Sequence, residues 1–137
     1  PYRYTSNKSS DTYIGYFFKS VKGYSKISSF TGNGNADGTF VYTGFKPAWV
    51  MLKRSDSAGD WFINDNKRDT FNVVNHYLRP HTNASETSGT ALLDFTSNGF
   101  KIRINDAAYN GSGATYIYMA FAESPFVNSN GVPTNAR

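Results

Sequence analysis

Between Tyr24 and Arg54 the chain reads YSKISSFTGNGNADGTFVYTGFKPAWVMLKR, and no other stretch restricts its fold as strongly. Two β-like runs, Tyr24–Phe30 and Pro47–Arg54, flank a segment punctuated by Gly32, Gly34, Gly38 and Gly44. Asp37-Gly38 between aromatic and apolar runs predicts a hairpin, because both central residues of such a turn favour positive φ. Pro47 opens Ala48-Trp49-Val50-Met51-Leu52, a run that is apolar on both faces of a strand. A strand of that kind is usually central, with material packed on each side. The expectation is a β-sandwich with Pro47–Arg54 as its spine.

Composition agrees. At 137 residues the chain fits one domain with a real core. Aromatic residues make up 17% and charged residues 18%, and the sequence leans on Tyr, Phe, Thr, Val and Ile, which favour strands. The fold class read from this is all-β, an antiparallel β-sandwich or jelly roll. With no cysteine, neither a disulfide framework nor a thiolate metal site is available. No apolar run approaches the roughly 20 residues of a spanning helix, so no membrane insertion is expected. No signal peptide is visible, and Pro1 is not a natural start, which suggests a processed chain or part of a longer tandem protein.

Along the chain, residues 1–10 read as a polar arm or linker, 11–127 as the sandwich domain and 128–137 as an irregular tail. Thr12–Phe18 (TYIGYFF) echoes Thr115–Phe121 (TYIYMAF), and its aromatic pattern predicts that it pairs in a sheet, in this domain or in a neighbouring copy. Ser55–Asp60 reads as a turn joining the Pro47–Arg54 strand to Trp61-Phe62-Ile63. Phe71, Val74, Asn75 and Leu78 fit one helical face, predicting a helical turn around 70–78. Pro80–Gly89 is the longest loop candidate. Leu92–Phe95 and Phe100–Ile104 form a hairpin through Thr96-Ser97-Asn98-Gly99, Asn105–Ala114 a glycine-bearing loop, and Thr115–Ala122 the last strand.

Four strings, FTGNGNADGTFVYTGFKPAWVMLKRSD, DWFINDNKRDTFNVV, LLDFTSNGFKIR and NGSGATYIYMAFAESPFV, carry a resemblance. Together they resemble a repeated β-sandwich domain of tail-fibre-like and virion surface proteins of tailed phages, notably phages of marine bacteria, over about Lys22 to Val127. The resemblance implies a concanavalin-lectin-like sandwich and a virion setting; it implies no catalytic motif.

The chemistry-bearing residues are sparse. Asp37, Asp56, Asp60, Asp65 and Asp69 invite a calcium site, but Lys67-Arg68 oppose a cation and the spacing is not that of an EF-hand, so turn and capping roles are expected and no metal. His76 and His81 lack the spacing of a zinc helix, the serines lack an elbow motif, and Glu86 and Glu123 are the only glutamates. No enzyme and no cofactor are expected. The net charge of +4 is dispersed, as in Phe100-Lys101-Ile102-Arg103-Ile104, which suits a solvated sheet face better than a nucleic-acid groove. Sugar sites combine an aromatic platform with amide and carboxylate partners. Trp61 beside Asp60, and Tyr109 beside Asn110, offer that combination, so Trp61, Tyr109 and Asn110 are the candidate ligand-binding residues. The functional expectation is a non-enzymatic virion surface protein, in a fibre or tail appendage. Its partners would be copies of itself or other virion proteins, with host-surface glycan as a further expected partner. A capsid-decorating protein and a stand-alone extracellular carbohydrate-binding module are the alternatives.

Overall fold

The computed structural model describes residues 9–124 and residue 130. The arm expected over 1–10 and the tail expected over 128–137 therefore lie almost wholly outside the described residues. Among the described residues eight strands and one short helix follow in order: β1 (Ser25–Thr31), β2 (Phe40–Tyr42), β3 (Pro47–Arg54), β4 (Trp61–Asp65), β5 (Val74–Tyr77), β6 (Thr87–Thr96), β7 (Gly99–Ile102), α1 (Ala107–Asn110) and β8 (Thr115–Ala122). They form two four-stranded antiparallel sheets, β1-β8-β3-β4 and β2-β7-β6-β5.

Alternation along the strands explains the packing. Val50 and Leu52 of β3, and Tyr116, Tyr118 and Ala120 of β8, turn inward; Leu93 and Phe95 of β6, with Phe100 and Ile102 of β7, meet them from the other sheet. Phe30 stacks on Tyr116 with ring centroids 5.0 Å apart, and Phe100 meets Tyr118 edge-on at 5.3 Å. β3 is central, as its sequence predicts, lying between β8 and β4. Its two faces differ, however. Val50 and Leu52 are fully buried, whereas Trp49 and Met51 on the outer face are only half-buried. Trp49 rests on Phe121 at 5.6 Å and is a surface aromatic, not the core residue expected.

The β3–β4 and β6–β7 hairpins form where the turn residues place them. Asp37-Gly38 does not make a hairpin. β1 and β2 belong to different sheets, and Gly38 does not have positive φ. The residue is glycine for another reason: a Cβ there would lie 2.5 Å from the Ile102 carbonyl oxygen. The helical turn expected around 70–78 is replaced by β5, because side chains divert the backbone hydrogen bonds a helix needs. One oxygen of Asp69 accepts the N–H groups of both Asn75 and His76 (2.8 and 2.7 Å), and Asn72 pairs with both the N–H and the carbonyl of Phe95, acting as a strand partner to β6. The helix forms instead in the expected 105–114 loop, capped by Asp106, whose carboxylate accepts the Ala108 N–H at 2.7 Å. Thr12–Phe18 takes no strand in this chain.

Asp69 gives this β5 connection a pH dependence. Burial pushes its carboxyl up, but the His76 N–H, the His76 ring 2.8 Å away and the Asn75 N–H outweigh it, and the net shift is below the ordinary 3.8. A carboxyl with a depressed folded pKa stabilises the fold above its unfolded pKa, and that stability is lost as pH falls through the folded value. Asp69→Ala should therefore lower the denaturation midpoint at neutral pH, with the gap to the parent protein narrowing below about pH 4. Urea melts of the two proteins at neutral and acid pH check this; a pH-independent gap contradicts it.

Candidate functional site

Three features result from this folding: a loop clamp at one end of the sandwich, a side cleft, and an apolar outer sheet face. The clamp holds Asn110, which is fully buried. Its Nδ2 donates to Asn33 Oδ1 and the Asn35 carbonyl, both at 2.8 Å, and to the Ile104 carbonyl at 3.2 Å. Its Oδ1 accepts the Asn33 N–H at 3.0 Å. Backbone bonds run alongside, from Gly32 to Ala114, Gly34 to Asn110 and Gly113 to Gly32. Gly32 is forced by this contact, since a Cβ would lie 2.4 Å from the Gly111 oxygen. Asn110 is thus a structural hub, and it is not the exposed hydrogen-bonder expected of a ligand site.

Tyr109, one residue earlier, points the other way. It is 3% exposed, packs on Phe62 at 4.7 Å and donates its hydroxyl to Asn64 Oδ1 at 3.3 Å. Burial pushes its phenol well above the ordinary value, so it stays a donor. The ring is no loop platform, but it does line a cleft of about 320 Å³ beside the start of β4 and the end of β5. Phe62, Tyr77, Leu92 and Ile104 line the same cleft, with Asp60, Arg79, Thr90 and Asp106. Arg79 lies over the Tyr77 ring at 5.3 Å and donates to its hydroxyl at 3.0 Å. Asp60 holds Arg79 Nε at 3.2 Å through one oxygen and His81 Nε2 at 3.0 Å through the other.

Trp61 stands apart from both. It is half-buried, with the Lys53 ammonium 5.9 Å over its ring. Its neighbour Phe62 faces the core, so by strand alternation Trp61 lies on the outer face of the first sheet. The structure therefore does not bring Trp61, Tyr109 and Asn110 together. It brings Tyr109 near Asp60, Tyr77 and Arg79, a set hidden from sequence by the helical assignment. With 74–77 as a strand, Tyr77 and Arg79 fall at period two on one side, and that pattern was the available signal.

The outer face of the first sheet is the third feature. Register places Ile27, Met119, Met51 and Ile63 in one row across all four strands, with Phe121 and Trp49 adjacent on one flank and Ile117, Lys53 and Trp61 on the other. Phe18 and Tyr24 both pack edge-on against Phe121, at 6.1 and 5.8 Å. Residues 11–18 form an arm outside both sheets, which before Phe18 carries Ile14 and Tyr16 at 80% exposure and Phe17 at 96%. The edge of β1 is closed to strand addition at two points: Ser20 Oγ accepts the Ile27 N–H and donates to the Ile27 carbonyl, and Thr39 Oγ1 donates to the Thr31 carbonyl.

The aspartates mostly serve turns and connections. Asp65 accepts the Lys67 and Arg68 N–H groups, and Asp56 accepts that of Thr115. Among the described residues no three histidine, aspartate or glutamate side chains gather so as to hold a metal ion.

These features define an antiparallel two-sheet sandwich with a clamped end and a side cleft. The chain belongs to the family described as a domain of unknown function (DUF7483), which it matches over residues 3–125. No curated protein and no solved structure matches it.

The clamp makes a quantitative prediction. Asn110→Ala leaves several buried polar groups unpaired and should cost about 3 kcal/mol. Asn110→Asp, which sets a carboxylate against two carbonyls and the Asn33 amide oxygen, should cost more despite its similar size. Denaturant titration of both variants checks the order; equal or negligible losses contradict the hub.

Proposed function

We propose that this domain is a non-enzymatic structural module displayed on a phage virion, in a fibre or tail appendage, that works by associating with further copies of itself. One observation carries the proposal: a run of large apolar side chains, Ile14, Tyr16 and Phe17, stands almost wholly in solvent and leads directly onto the apolar outer face of the first sheet. Burying one such side chain is worth about 2 kcal/mol, and an isolated domain forgoes that for each of them. A second copy is the fitting occupant because the arm repeats the residue types of β8, which already packs in this sheet: Thr-Tyr-Ile followed by aromatics. With the β1 edge, the one nearest the arm, plugged by Ser20 and Thr39, the arm is offered to a sheet face and not to this edge.

The virion setting rests on the resemblance of the motifs between Lys22 and Val127. The finer assignment as a jelly roll of lectin-like kind draws support from the nested pairing of β1 with β8 and β2 with β7. Attachment to host-surface glycan is a second reading, favoured by the aromatic and polar lining of the side cleft. Trp61, Tyr109 and Asn110 as a set do not support it.

Replacing both Tyr16 and Phe17 by serine should leave the monomer folded, because neither ring is in the core, while abolishing self-association of the parent chain in sedimentation velocity. A parent chain that stays monomeric, or a double variant that associates as well as the parent, contradicts the proposal.

A further inference from the structure

The side cleft has a composition that selects for one kind of ligand. Its apolar lining comes from Phe62, Leu92 and Ile104 with the Tyr77 and Tyr109 rings. Its volume, about 320 Å³, is at the lower end of small-molecule sites, which start at about 300 Å³. Such a space takes one or two sugar rings and not a long peptide.

The polar lining decides the charge of that ligand. Asp60 and Asp106 supply two carboxylates and Arg79 one guanidinium, so the ionised side chains of the cleft sum to one negative charge. A phosphate or an acidic sugar would meet two carboxylates for one cation. A cationic ligand would meet a guanidinium already tied to Tyr77 and to Asp60. A neutral polyhydroxylated ligand suits both signs: its hydroxyls donate to carboxylate and accept from guanidinium, while its C–H faces lie on apolar lining. Arg79 Nε itself is covered, 3.2 Å from Asp60 Oδ2. The guanidinium is held in place by its stacking on Tyr77 and its bond to the Tyr77 hydroxyl. Asp106 is likewise fixed, by capping α1.

We infer that the cleft bounded by Asp60, Tyr77, Arg79, Thr90 and Asp106 binds a neutral saccharide. The inference rests on the second reading above, attachment to surface glycan, and is independent of self-association through the arm. It moves the glycan contact from Trp61 and Asn110 to residues before β4, on and after β5, on β6 and at the α1 cap.

Titration of the isotope-labelled chain with lactose, maltotriose and methyl mannoside, followed by amide chemical shifts, tests it. At least one of these neutral sugars should give saturable shifts at Arg79, Thr90 and Asp106, and sialyllactose should bind roughly tenfold more weakly than lactose. Thr90→Trp, at an exposed position, fills the cleft and should abolish the shifts while leaving the fold intact. Asp106→Asn keeps an N-cap acceptor but removes one charge, and should narrow the gap between lactose and sialyllactose. The inference is overturned by the absence of saturable shifts with all three neutral sugars, by shifts that persist in Thr90→Trp, or by tighter binding of sialyllactose to the parent chain. Sedimentation of the same samples reads self-association separately, so a failed cleft leaves the assembly proposal standing, and a monomeric parent chain leaves the cleft result standing.

Discussion

Asn110 spends its whole amide on the chain around it: the nitrogen bonds to Asn33, Asn35 and Ile104, and the oxygen receives the Asn33 N–H. A buried amide left unpaired costs about 1–3 kcal/mol, more than a satisfied hydrogen bond contributes, so these loops have one low-energy arrangement. That arrangement joins the loop between β1 and β2 to the loop between β7 and β8, and it seals one end of the sandwich. Gly32 and Gly38 follow from it, since the backbones approach too closely for any Cβ. So does α1, which is capped by Asp106 and ends on Asn110 itself.

The clamp also reaches the cleft. Tyr109 and Asn110 are consecutive on α1 and face in different directions, one toward Phe62 and the cleft, the other into the clamp. Fixing the amide therefore fixes the ring. Tyr116 adds a second tie, accepting the Gly111 N–H at 2.7 Å and donating to the Ala107 carbonyl at 2.6 Å. One wall of the cleft and the closure of the sandwich end thus share one short helix, while the outer face and arm lie on the opposite side of the first sheet. The two surfaces can act separately.

Much of the architecture was legible in the sequence because it depends on local pattern. Pro47–Arg54 reads as central from its two-faced apolar run, and Thr96–Gly99 reads as a turn from Asn-Gly between alternating segments. What was not legible depends on distant partners. Asp37-Gly38 has hairpin chemistry, yet the chain crosses to the other sheet because the Gly38 N–H bonds to Ile102. The 70–78 segment has helical spacing, yet Asp69 and Asn72 redirect its backbone through contacts visible only after folding. Trp61, Tyr109 and Asn110 have the residue types of a sugar site, but side-chain type does not report burial. Asn110 is the clearest case: a loop asparagine beside glycine looks exposed, and it is among the least accessible residues of the protein.

If the clamp holds the two loops as one unit with the core, their amides exchange with solvent only when the whole domain unfolds. Native-state hydrogen exchange of the Gly32, Gly34 and Gly113 amides is the most direct measurement, with the core amide of Leu52 as reference. Opening free energies that equal the Leu52 value, and that fall with it in added denaturant, are the result predicted. Fast, denaturant-independent exchange of the three glycine amides, with Leu52 still protected, would show that the loops open freely and that Asn110 does not hold the sandwich end together.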